Sequence, residues 1–122
     1  MISPWCDMDM ADIFKALSNK SRLRIFEIIR EGHRAKARCP DRNRPTDIPD
    51  EAVCVCEILE EMNISQSTVS HHLKELRWAG LVEVFPRGRW AYYTIKPGVL
   101  EKIEKYFFQP VRGRKQKSLK GR

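Results

Sequence analysis

The stretch VCEILEEMNISQSTVSHHLKELRWAG, residues 55–80, carries the reading on which the fold depends. Val55, Ile58, Leu59 and Met62 recur at i, i+3, i+4 and i+7, the spacing of one helical face, and predict a short third helix ending near Asn63. Ser65 is a good N-cap for a fourth helix. Val69, Leu73 and Leu76 supply its buried stripe, and it reaches about Ala79, where Gly80 stops it. Two helices joined only by Asn63-Ile64-Ser65 make a helix-turn-helix.

Downstream, Leu81 to Phe85 and Trp90 to Ile95 are rich in β-branched and aromatic residues, and Pro86-Arg87-Gly88-Arg89 supplies a turn between them. After Pro97-Gly98, the residues Leu100, Ile103 and Phe107 lie on one side of a last helix from about Val99 to Phe108. Upstream, Met10, Ile13, Phe14 and Leu17 mark a first helix. A second covers roughly Lys20 to Glu31, capped by Asn19 or Ser18, with Leu23, Ile25, Phe26, Ile28 and Ile29 inward and Gly32 as a left-handed stop. The fold class expected is mainly α with a β-hairpin: a winged helix-turn-helix of about five helices plus a two-stranded wing.

The 122 residues suffice for one core. One domain is expected over residues 1–108, for DNA binding and dimerisation, interrupted by a long irregular loop at 33–53 that holds Pro40, Pro45, Pro49 and Cys39. Residues 109–122 form a basic tail with six of the seven net positive charges, so the folded part is nearly neutral. Such a tail can meet a polyanion or remain a solvated end. The chain opens without the basic-then-apolar pattern of an export signal, and no run of apolar residues is long enough to span a membrane, so a cytoplasmic protein with no membrane partner is expected.

If Val69, Leu73 and Leu76 face the core, a turn of about 100° per residue puts Ser67, Ser70, His71 and Lys74 together on the outside. Small hydroxyl side chains allow close approach to base edges, Gln66 can pair with adenine, and Lys74 can reach guanine or phosphate. Arg87 and Arg89 at the hairpin suit a flanking minor groove or phosphate. His72, at the edge of the buried face, reads as a packed or capping histidine. The chain ends hold Trp5, Leu100, Ile103, Tyr106, Phe107 and Phe108, more apolar surface than a monomer readily covers, which suits a homodimer, with internal packing of the ends as the competing explanation; a two-fold dimer would read a near-palindromic DNA operator.

Three stretches together resemble the ArsR/SmtB family of winged-helix repressors. They are Ala16-Leu17-Ser18-Asn19-Lys20-Ser21-Arg22-Leu23-Arg24-Ile25, Val53-Cys54-Val55-Cys56-Glu57-Ile58-Leu59, and Ser65 through Leu76. The resemblance covers roughly residues 8 to 108. It implies a homodimer built mainly from the first and last helices, operator binding without inducer, release when the effector binds, and DNA contact at Gln66, Ser67, Thr68, Ser70 and His71.

Four cysteines, Cys6, Cys39, Cys54 and Cys56, are candidate ligands in a reducing compartment. On an ideal helix Cys54 and Cys56 stand about 200° apart and cannot hold one ion; in an extended or unwound segment both face one side. A chelate therefore requires the start of the third helix to be non-helical. Thiolates favour soft ions. Arsenite or antimonite wants three sulfurs, the third from Cys39 or Cys6, while all four would suit zinc or cadmium.

In the resemblance the paired cysteines are the core of an arsenite-type site, which an N-terminal cysteine extends to cadmium or lead. Two departures stand out: the long connecting loop, and Leu59 and Glu60 where a third cysteine soon after Cys56 would stand. The expected function is a transcriptional repressor released by such an effector, with no permanent cofactor. The rival readings are a thiol-redox-responsive repressor, or a metal-binding protein without operator function. No nucleophile, base and oxyanion donor can be assembled, so an enzyme is not expected.

Overall fold

The computed structural model describes residues 10–34 and 44–108. Its elements are α1 (Met10–Leu17), α2 (Lys20–Glu31), β1 (Val53–Cys54), α3 (Val55–Met62), α4 (Gln66–Trp78), β2 (Val82–Arg87), β3 (Trp90–Ile95) and α5 (Val99–Phe108). The helices start where side chains can satisfy free backbone N–H groups. Asn19 Oδ1 accepts the Arg22 N–H at 2.9 Å, and Ser65 Oγ accepts the Thr68 N–H at 3.2 Å. Asn63 turns the chain between α3 and α4 in the left-handed conformation (φ 46°, ψ 39°), which asparagine tolerates better than most residues.

Gly32 closes α2 with a positive φ of 91°, but its ψ of 175° is extended, so it is not the left-handed helical stop expected from sequence. Its N–H still returns to the carbonyls of Ile28 and Ile29. A side chain there would meet Glu51 only at ordinary contact distance, so the positive φ alone is what selects glycine.

The main core joins Ile13 and Ala16 of α1, Ile25, Phe26, Ile28 and Ile29 of α2, Ile58 of α3, and Val69, Leu73 and Leu76 of α4, with Leu81, Val82, Tyr93 and Val99 beneath them. Two apolar residues expected inside are outside: Leu23 and Phe14 are each 38% exposed. Leu23 sits on the polar side of α2 beside Arg24, while Phe14 leaves the core for an aromatic contact with α5 described below.

The wing differs from a two-stranded hairpin in two ways. The sheet has three antiparallel strands in the order β1-β3-β2, because Val53 and Cys54 pair with Tyr93 and Tyr92. The irregular 33–53 connection thus ends as a strand. The hairpin turn is also tighter than Pro86-Arg87-Gly88-Arg89, since Pro86 pairs with Ala91 and Arg87 with Trp90, leaving Gly88 (φ 61°) and Arg89 to turn. Proline is tolerated there because β2 is an edge strand and its missing N–H costs no ladder bond.

A second small core forms around this sheet from Ile48, Ala52, Cys54 and Tyr92, with Val55, Cys56, Phe85 and Trp90 packed on it. Arg44 fastens the chain above it. One guanidinium nitrogen, with two N–H groups, lies within hydrogen-bond distance of the carbonyls of Pro49 (3.2 Å), Asp50 (3.1 Å) and Ala52 (2.6 Å), and the group lies over the Tyr92 ring. Residues 44–52 are therefore docked on the wing. Cys6, Trp5, Cys39 and the tail 109–122 lie outside the described residues.

Candidate functional site

Helix α4 presents the face expected from its sequence. Gln66, Ser67, Ser70, His71 and Lys74 are exposed and line one open groove of about 640 Å³. Thr68 is exposed too, but its hydroxyl is 2.8 Å from Ser65 Oγ and so belongs to the helix cap. His72 points inward, as a packed histidine should, at 8% exposure. Its Nδ1 has no hydrogen-bond partner among the described residues. Burial, helped by the positive charge of Arg22, lowers its pKa from the ordinary 6.5, against the opposing pull of Glu75.

Arg89 stands exposed at the wing turn. Arg87 does not: it is the last residue of β2, and its Nε–H donates to both Asp47 oxygens at 3.1 and 3.0 Å while Nη1 donates to the Pro86 carbonyl at 2.7 Å. That hydrogen bond lowers the Asp47 pKa. The wing arginine is thus tied to the long connection.

Cys54 and Cys56 come together without any unwinding of α3. Cys54 is the N-cap, with extended dihedrals (φ −70°, ψ 144°), and Cys56 is in the first helical turn. Side chains at the cap and two residues on fold toward the same free N–H groups. The two sulfurs are accordingly 2.9 Å apart, and Cys54 Sγ accepts the Cys56 N–H at 3.4 Å. The condition inferred from sequence, a non-helical residue at the helix entrance, is met by the cap itself. Cys54 is buried and Cys56 half-buried. Cys56 is disulfide-bonded, and Cys54 is not its partner in that bond.

Glu57 completes this end of α3 and was not legible as a site residue. It is 1% exposed. Its carboxylate accepts the Cys54 N–H (3.3 Å), which closes a capping box, the Arg34 N–H (3.1 Å), and a hydrogen bond from His33 Nδ1 (2.7 Å). One buried side chain therefore fixes both the cysteine cap and the start of the long connection. The available signal was the spacing Cys-x-x-Glu, a capping box with sulfur in place of a hydroxyl. Among the described residues, no three His, Cys, Asp or Glu side chains are placed to hold a metal ion.

At the other pole, Phe14 of α1 contacts Tyr106 and Phe107 of α5 with ring centroids 5.7 Å apart in both cases, and Tyr106 meets Phe107 edge-on at 5.5 Å. Tyr106, Phe107 and Phe108 are at least half exposed, and Leu100 is 43% exposed. Ile103 instead packs on the core.

A helix-turn-helix with a hairpin wing behind its second helix defines a winged-helix fold of the kind found in transcriptional regulators. Comparison with known proteins agrees. Residues 50–84 match the model for bacterial regulatory proteins of the arsR family. An uncharacterised HTH-type transcriptional regulator of Methanocaldococcus jannaschii is 32% identical over 95 residues, covering 78% of this chain and 86% of the relative. The arsenic resistance transcriptional regulator ArsR1 of Pseudomonas putida is 30% identical over 93 residues, covering 75% of this chain and 58% of that protein. Among solved structures, an ArsR-like transcriptional regulator from Rhodococcus superposes with a TM-score of 0.58 at 20% identity, over 80% of this chain and 74% of that one, a likeness of fold. The chain belongs to the ArsR family of regulatory proteins. Among the described residues no helix is long and apolar enough to cross a membrane.

Proposed function

We propose that this chain is a homodimeric repressor that holds a near-palindromic operator and releases it when a thiophilic metalloid, arsenite or antimonite, binds its cysteines. The observation that carries the reading is the convergence of the Cys54 and Cys56 sulfurs, 2.9 Å apart, at the entrance to the helix-turn-helix. Once Cys56 is reduced, two thiolates on one side suit a soft ion, and the third sulfur that trivalent arsenic requires falls to Cys39 or Cys6, with cadmium, lead or zinc as the alternatives if both contribute. The arsenic resistance relative from Pseudomonas supports the effector class.

In this reading Gln66, Ser67, Thr68, Ser70, His71 and Lys74 meet the major groove, and Arg89 meets the flanking DNA, joined by Arg87 when its guanidinium exchanges Asp47 for phosphate. Residues 1–108 serve as the binding and dimerisation unit, the exposed aromatic residues of α1 and α5 cover one another's copies across a two-fold axis, and the tail 109–122 adds charge toward phosphate. Release by thiol oxidation is the second reading, and the disulfide at Cys56 favours it.

The test is a titration of the reduced protein on its own promoter duplex with arsenite, antimonite, cadmium, zinc and, separately, peroxide, for wild type and for Cys54→Ser, Cys56→Ser, Cys39→Ser and Cys6→Ser. Arsenite should release wild type but not Cys54→Ser or Cys56→Ser. Equal release from Cys54→Ser would sink metalloid sensing, and release by peroxide alone would establish the redox reading.

A further inference from the structure

Trp78 ends α4 with 73% of its surface exposed, although tryptophan is a residue that folding usually hides. On a helix turning about 100° per residue, Trp78 lies within about 20° of Ser67 and one turn beyond Lys74. It therefore stands on the same outward stripe as Ser67, Ser70, His71 and Lys74, not on the buried one. Lys74 Nζ lies 5.4 Å from the centre of its ring. Arg77 and Glu75 flank it on either side, about 100° and 60° around the helix. On its α1 side Trp78 also lines a 230 Å³ depression, where the acids Asp12 and Glu75 are balanced by Lys15 and Arg22.

We propose that Trp78 is a DNA-backbone contact, its indole N–H donating to a phosphate at the edge of the groove while Lys74, held over the ring, supplies the charge. This rests on the reading of α4 as the DNA-facing helix. The rise of about 1.5 Å per residue places Trp78 about 16 Å along the axis from Ser67. The major groove is about 12 Å wide, so a helix whose Ser67 reaches base edges brings Trp78 to the flanking sugar-phosphate chain and not to a base. An indole is a donor only, which matches a phosphate oxygen. Such contacts position a protein without reading sequence, so Trp78 contributes affinity to any duplex.

The experiment measures binding of the reduced full chain to a duplex from its own promoter and to a scrambled duplex of equal length, at several salt concentrations. Trp78→Ala should weaken both by about tenfold, the loss expected for one hydrogen bond to a charged acceptor. Trp78→Phe, which keeps a ring and loses the donor, should remain weaker than wild type on both. The salt slope should be unchanged in Trp78→Ala, whereas Lys74→Ala should lower it by about 0.9. In a Trp5→Phe/Trp90→Phe protein, where Trp78 is the sole tryptophan, either duplex should alter its fluorescence.

The proposal is overturned if Trp78→Ala binds both duplexes like wild type, if its loss is confined to the promoter duplex, or if sedimentation shows that the substitution acts by dissociating a dimer. Should wild type bind neither duplex, the DNA-facing reading of α4 fails with it. Binding by wild type with no effect of Trp78→Ala removes only the role of Trp78. Because the side chain is exposed, its removal should leave the fold intact, which the far-ultraviolet spectrum checks.

Discussion

Replacement of Glu57 by alanine tests whether the cysteine pair is held by the buried carboxylate. The side chain is 1% exposed and accepts hydrogen bonds from Cys54 N–H, Arg34 N–H and His33 Nδ1. His33 and Arg34 are partly or fully exposed, so their donors can turn to water once the carboxylate is gone. The Cys54 N–H cannot, because Cys54 is buried at 1% exposure. Leaving that donor unsatisfied costs about 1–3 kcal/mol, and loss of one half of a capping box about 1 kcal/mol more.

An overall loss of about 3 kcal/mol follows, a fall in Tm of roughly 15 °C for a domain of this size. Glu57→Gln retains one acceptor oxygen and should lose about half as much. Thermal and urea unfolding of the reduced protein, followed by circular dichroism, measures both. A loss below about 1 kcal/mol for Glu57→Ala, or no difference between the two variants, would show that the carboxylate does not hold this helix entrance.

Three further outcomes follow from the same geometry. Ser65→Ala removes the α4 cap and frees Thr68, so stability should fall by about 1 kcal/mol in a urea melt, with a parallel loss of DNA affinity. The lowered pKa of His72 means that the unfolded chain binds a proton more readily than the folded one; stability should be full above pH 6.5 and decline as the pH falls below it toward the folded value. His72→Leu should flatten that part of the profile measured by unfolding at pH 5 to 8. Phe107→Glu places a charge in the exposed aromatic contact of α1 and α5 and should shift sedimentation toward monomer while leaving the monomer's helix content unchanged.

The helices were legible because their apolar spacing is regular and their ends carry Asn19, Ser65, Gly32 and Gly80. What stayed hidden depends on partners distant in sequence. Two residues, Val53 and Cys54, are too few to show the alternation of a strand, and they become one only because Tyr92 and Tyr93 offer a free edge. Glu57 resembles any acid on a polar helical face until His33, 24 residues earlier, covers it. Arg87 looked like a turn residue because Pro86 and Gly88 bracket it, yet Asp47, 40 residues away, claims its guanidinium. The cysteine spacing left two geometries open, opposed on a helix and convergent in an extended segment, and the cap position of Cys54 gives convergence with α3 intact.

Cys54 is at once the final residue of β1, opposite Tyr92, and the residue that caps α3. Any pull on its sulfur acts on two backbone attachments that run in different directions, one toward the wing and one toward the reading helix. Such a junction has no soft coordinate of its own. Tightly packed parts of this kind switch between arrangements instead of stretching, so in the proposed reading a bond made at that single atom would be felt at the wing sheet and at α3 together.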